Sequence, residues 1–180
     1  VGKVKEAINL LEGELKNSLN VEFLSKLANL YVVAGDTAGY ERSVLKIEDL
    51  DPKFPGLFLN QVRHFLSVKQ LSKAFEIIHL NSEYFETDLD GLVVHGLSLK
   101  LQGDGHSAEK KFLKVLKKDP ENINAQINLG LLALEKGKYQ ESLKYLIKCF
   151  GLKPHQKSVW PLIIAVLDRL GNYNIAFQVL

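Results

Sequence analysis

The stretch KKDPENINAQINLGLLALEKGKYQESLKYLIKCFGLKP, Lys117 to Pro154, carries no acid–base pair and no cluster of metal ligands, yet its punctuation is regular. Pro120 and Pro154 stand thirty-four residues apart, with Gly137 midway between them. Ile123, Ile127, Leu129, Leu131, Leu132 and Leu134 precede the glycine, and Tyr139, Leu143, Leu146, Ile147 and Phe150 follow it. Each set has helical rather than strand spacing, over about fourteen residues, a length typical of a globular helix. Gly137 ends the first helix because glycine takes a left-handed conformation without steric cost. Pro154 bars continuation of the second, since it has no amide hydrogen to donate. Gly130 and Ser142 fall where the two helices should cross, and close approach there leaves no room for branched side chains. The stretch therefore predicts a helical hairpin.

The same punctuation recurs through the chain, and a fixed period is the signature of repeat architecture. At thirty-four-residue intervals before Pro154 stand Pro120, Glu86 and Pro52. Gly137 belongs to the series Gly35, Lys69, Gly103, Gly137 and Gly171. A series of mostly small residues runs Ala7, Tyr40 or its neighbours, Ala74, Ala108, Ser142 and Ala176, and a crossing series runs Ala28, Val62, Gly96, Gly130 and Ile164. Apart from Ala7, one residue out of step, these share one phase.

These units resemble tetratricopeptide repeats. The resemblance rests on Leu129, Gly130, Gly137 and Tyr139 in INLGLLALEKGKYQES, on Trp160, Gly171, Tyr173 and Ala176 in VWPLIIAVLDRLGNYNIA, and on Leu24, Leu27, Ala28, Tyr31 and Gly35 in LSKLANLYVVAG, closed by Pro52. It is strong in units starting near Val21, Leu89, Ile123 and Lys157. It is weak in the unit starting near Pro55, where Val62, Lys69 and Glu86 replace the glycines and proline. The resemblance implies an all-α fold, a right-handed superhelical solenoid of antiparallel helix pairs. It divides the chain into a partial repeat at 1–20, repeats at 21–54, 55–88, 89–122 and 123–156, and a truncated repeat at 157–180.

Composition agrees with a folded chain and narrows the chemistry. Of the 180 residues 46% are hydrophobic, enough for a substantial core, while the longest apolar runs, such as WPLIIAVL, are far shorter than the roughly 20 residues needed to cross a bilayer. A chain with no methionine that opens in mid-pattern at VGKVKEA reads as a piece of a longer protein, with any export signal or catalytic domain outside it. The single cysteine, Cys149, cannot form an internal disulfide and leaves the compartment open between cytosol and periplasm. The five histidines, His64, His79, His95, His106 and His155, lack metal-binding spacing, and no nucleotide loop follows a strand pattern. No cofactor is expected. GDGHSAEK, from Gly103 to Lys110, has the look of a phosphate loop, but Gly103 is the repeat's helix-ending glycine and Ser107 is the expected cap of the next helix. Cys149 and Trp160 fall at family core positions, and Pro161 fits a first helical turn. His95 and Gln126 replace apolar residues, so each is expected to bond the other or the backbone.

The resemblance also implies that first helices line a concave groove. Its exposed positions map to Leu59, Asn60 and Arg63, then Val93, Leu97 and Leu101, then Ile127, Asn128, Leu131 and Leu134. An apolar strip of this kind usually marks a contact surface, filled by a partner peptide or amphipathic helix, by a neighbouring helix, or by another copy of the chain. The lysine–asparagine carboxylate clamp of some family members is absent, since Ser25, Asn29, Asn60, Asp90 and Val94 stand in its places, and only Asn60 and Asn128 match an asparagine ladder. Residues 1–88 hold 10 basic and 13 acidic side chains, net −3; residues 89–180 hold 13 and 8, net +5. The basic excess (Lys110, Lys111, Lys114, Lys117, Lys118, Lys144 and Lys148) sits on expected outward-facing second helices without the arginine and aromatic interleaving of a nucleic-acid surface. The expectation is a non-catalytic protein-binding scaffold. The alternatives are a substrate-recruiting arm of a larger enzyme and a homo-oligomeric assembly module.

Overall fold

The computed structural model describes residues 2–152 and 159–171, and these are all helical or in short connections, without strands. Eleven helices follow in order among the described residues: α1 (Gly2–Asn17), α2 (Val21–Ala34), α3 (Thr37–Leu50), α4 (Pro55–Ser67), α5 (Leu71–Leu80), α6 (Ser82–Thr87), α7 (Leu89–Gln102), α8 (Gly105–Lys118), α9 (Ile123–Glu135), α10 (Tyr139–Leu152) and α11 (Trp160–Arg169). Four helices begin at thirty-four-residue intervals, at Val21, Pro55, Leu89 and Ile123. The glycines of the repeat series do what their spacing required: Gly35, Gly103, Gly137 and Gly171 all have φ between 71° and 94°. Pro154, His155, the expected repeat start at Lys157, Tyr173 and Ala176 lie outside the described residues.

Helix starts show a second periodicity that the punctuation alone did not reveal. Asn20 Oδ1 accepts from the amides of Glu22 and Phe23 at α2, Asp88 Oδ1 from Gly91 at α7, and Asn122 Oδ1 from Ala125 at α9. At the second helices, Asp36 Oδ1 accepts from Gly39 and Asp104 Oδ1 from Ser107. Such caps satisfy amides that the helix itself leaves unbonded, and each contributes about 1 kcal/mol. Ser107 is therefore not the cap of α8. Its own amide is the one being capped, and Asp104 does the capping.

The chain forms two compact units, Val1–Val94 and His95–Leu180, which divide inside α7. In the first unit α2 packs against α1, α3 and α4, and α4 packs against α5. Its core runs through Leu27, Ala28, Tyr31 and Tyr40, then Leu24, Ile47 and Leu57, then Leu59, Val62, Ala74, Ile78, Phe85 and Val94. In the second unit α9 packs against α8 and α10, and α10 against α11. Here the core gathers Leu146, Cys149, Val159, Ile163, Val166 and Leu167. Phe150 and Trp160 meet edge to face, with ring centroids 4.5 Å apart, and Pro161 sits in the first turn of α11.

The helix crossings of the second unit are as tight as the small residues predicted. A Cβ on Gly130 would lie 2.9 Å from Leu146 Cγ and Cδ2, and one on Gly96 would lie 2.6 Å from the Phe112 ring. Ser142 Oγ donates to Gly130 O at 2.7 Å in a fully buried setting, which ties α10 to α9 at the crossing.

The unit from Pro55 departs from the pattern as a group of defects. Lys69 takes the left-handed conformation (φ 59°) that glycine takes elsewhere. Phe54 and Gln70 occupy the cap positions of α4 and α5 without side-chain cap bonds. The expected single second helix is instead two, α5 and α6, broken at Asn81. The Asn81 side chain donates to Ile77 O at 2.9 Å, a local bond of the kind that competes with helix continuation.

Candidate functional site

The expected groove residues other than the two asparagines fall into three groups. Leu59 and Val93 are buried, at 8% and 5% exposure, and so cannot form an accessible strip. Leu59 is part of the α4–α5 core. Ile127 and Leu134 are half-buried and pack against the α10–α11 core, so they too serve the fold more than the surface. Leu97 and Leu131 are half-buried, Arg63 is half-buried, and Leu101 is 58% exposed.

The two asparagines have committed their amides. Asn60, only 1% exposed, donates to Ser25 O at 3.0 Å and to Ser25 Oγ at 2.9 Å, which ties α4 to α2. Asn128 donates to Asn124 O at 2.8 Å within its own helix. Asn60 is thus a structural bond between first helices rather than part of a ladder reading a peptide backbone. A buried amide that gave up these acceptors would carry the cost of an unmade hydrogen bond, about 1–3 kcal/mol.

Sequence reasoning missed one ion pair on this face. Lys100 Nζ lies 3.0 Å from Glu135 Oε1, joining the last turns of α7 and α9 within the second unit. Both residues fall at the repeat's own groove positions, so the thirty-four-residue register could have found them. The same two helices carry Leu97 and Leu101 (α7) and Asn128 and Leu131 (α9).

Most of the other singled-out residues are accounted for by the fold. Gln126, 1% exposed, donates to Pro120 O at 2.7 Å, the backbone partner expected of a buried amide, while its Oε1 is buried with no hydrogen-bond partner among the described residues. Cys149 is fully buried, its Sγ lies 3.8 Å from Ile123 O, and burial pushes its thiol up to about 11. A thiol so rarely ionised is a core group. In GDGHSAEK the Ser107 amide in the first turn of α8 is already taken by Asp104, whose bonds with Ser107 hold its carboxyl below the usual range. His64 stacks on Tyr40 with ring centroids 4.1 Å apart, and partial burial lowers its pKa, against a smaller raising effect of Glu41. Among the described residues, no group of three or more His, Cys, Asp or Glu side chains could hold a metal ion, and no helix is long and apolar enough to cross a membrane.

Comparison with known proteins finds the tetratricopeptide-repeat pattern in part of the chain and a matching fold in solved structures. Residues 111–144, from within α8 to the start of α10, match the family model of the tetratricopeptide repeat. A stretch of 89 residues, 49% of this chain, is 27% identical to mouse protein O-mannosyl-transferase TMTC3, of which it spans 10%. A thermophilic TPR protein of Thermus thermophilus superimposes with a TM-score of 0.79 at 17% identity, over 92% of this chain and 91% of that one. A chain of the APC/C hetero-tetramer Cut9-Hcn1 does so with a TM-score of 0.78 at 14% identity, over 97% of this chain and 35% of that one. The hairpins, their glycine turns and these likenesses together give the chain the all-helical fold of tetratricopeptide-repeat proteins, with the family's sequence pattern matched at residues 111–144.

Proposed function

We propose that the chain is a non-catalytic protein-interaction array, taking residues 1–180 as one series of repeats, and that the first-helix face of its second unit receives a peptide or an amphipathic helix. The observation that carries this reading is Leu101, 58% exposed on α7 beside the Lys100–Glu135 pair that joins α7 to α9. Leu97 and Leu131 extend the apolar surface at helical spacing, and Asn124 and Asn128 supply polar edges. An apolar centre with a polar, charged rim is the usual anatomy of a protein-contact surface. The likeness to a chain of the Cut9-Hcn1 hetero-tetramer is in keeping with a fold that engages other proteins.

The test is a folded double variant, Leu101→Asp with Leu131→Asp, compared with Leu113→Asp, which changes a 44% exposed leucine on α8. Proteins co-purifying with the parent should be lost from the double variant and retained by the α8 control. A double variant that keeps the parent's circular dichroism and still holds the same proteins removes the face from consideration.

A second reading makes the array the substrate-recruiting arm of a larger enzyme. It draws on the similarity to O-mannosyl-transferase TMTC3, of which the matched stretch is 10%. Transfer of mannose to an acceptor by the full-length protein, lost on removal of a segment outside residues 1–180, would favour it.

A further inference from the structure

Within the first unit a cleft of about 340 Å³ opens over α2, with α1 on one side and α3 on the other. Its floor is closed by buried Leu24, Leu27 and Tyr31, and half-buried Leu15 and 55%-exposed Leu19 offer apolar surface at the α1 end. Lys16 stands on the α1 side, and Arg42 and Lys46 stand on the α3 side, one helical turn apart. The cleft also holds one carboxylate, Glu12, and its Oε1 accepts from the Tyr31 hydroxyl. Among the described residues Lys16, Arg42 and Lys46 form no ion pair.

We propose that this cleft docks an acidic peptide segment, whose apolar side chains meet Leu15 and Leu19 and whose carboxylates pair with Lys16, Arg42 and Lys46. Charge complementarity selects the occupant. Cations on both walls call for several carboxylates spread along an extended chain, whereas a fatty acid carries one at its end. The α8–α10 pair makes a natural contrast. Three repeats on, Lys118, Lys144 and Lys148 repeat the cations, but Leu15 and Leu19 give way to Lys117 and Glu121, so the charge is there without the apolar strip. This site lies on the opposite unit from the α7–α9 face and does not depend on it.

The probe is a fluorescein-labelled peptide, Asp-Leu-Glu-Phe-Asp-Leu-Glu, followed by fluorescence anisotropy with the whole chain. It should bind saturably and more weakly as salt rises. Arg42→Glu with Lys46→Glu, both exposed positions that leave the core alone, should weaken binding about tenfold or more, the scale of losing charge-assisted contacts. Leu19→Ser should weaken it as well, while Leu101→Asp should not. Absence of saturable binding, or equal binding by the charge-reversed variant, overturns the proposal. So does equal binding of a peptide with serine in place of leucine and phenylalanine, which would mean charge alone. Oleate that binds in an Arg42-dependent way while the peptide does not would assign the cleft to a lipid-like carboxylate instead.

Discussion

Lys69 is the residue whose replacement should improve this protein. Its φ of 59° is left-handed, at a place where Gly35, Gly103, Gly137 and Gly171 serve the same turn elsewhere. A side chain in that region costs roughly 1–2 kcal/mol through the clash of Cβ with the following carbonyl. Glycine would relieve it, but would also give the unfolded chain more freedom to lose, offsetting about 0.5–1 kcal/mol. The net expectation for Lys69→Gly is a gain of about 0.5–1 kcal/mol. Adding Gln70→Asp would supply the cap that Asp36 and Asp104 provide at the equivalent helices, worth about 1 kcal/mol more. The reverse change is the control: Gly137→Lys meets no atom within 4 Å of its new Cβ, so its cost is backbone conformation alone, about 1 kcal/mol. Urea titration followed by circular dichroism reads the global change. Amide exchange across α4 and α5 reads the local one, because repeat stabilities are close to additive between neighbours. The reasoning fails if Lys69→Gly lowers the midpoint while Gly137→Lys leaves it unchanged.

Gly130→Val should destabilise by about 1–3 kcal/mol, the usual cost of overpacking, since even its Cβ would lie 2.9 Å from buried Leu146; an unchanged urea midpoint would count against that crossing. Cys149 should resist a thiol reagent such as dithionitrobenzoate at pH 8 and react only on unfolding, as expected of a buried thiol pushed up to about 11; fast labelling of the folded chain would contradict this. His64 binds its proton less readily folded than unfolded, so its contribution is fully present above 6.5 and is lost as pH falls below that value; His64→Gln should flatten this part of the stability–pH curve, and an identical curve would dismiss the histidine as its source.

The helices were legible because their punctuation is local. A glycine at a left-handed turn, a proline at a helix start and a 3.6-residue apolar period act within a few residues of themselves, so Val21, Pro55, Leu89 and Ile123 could be read as starts without knowing any neighbour. The weak unit was legible as a set of missing signals, Lys69 among them, though not that Asn81 would break its second helix by bonding Ile77. The groove was harder, because exposure depends on what other helices lay over a position. Repeat register tells which way Leu59 and Val93 leave their own helix, and both are nonetheless buried. Asn60 bonds Ser25, thirty-five residues away on α2, a partnership that only the fold brings together. The α1–α3 cleft had no motif at all: Lys16, Arg42 and Lys46 look like ordinary solvated charges until the helices are placed side by side.

Site-specific photo-crosslinking tests the central claim most directly. A benzophenone amino acid at position 101, on the first-helix face, is compared with one at position 113 on α8, both being exposed leucines in the native chain. The account predicts a discrete cross-linked protein partner from position 101 that is absent from position 113 and is suppressed by Leu131→Asp. Equal cross-linking at the two positions, or a partner captured only from position 113, would contradict it.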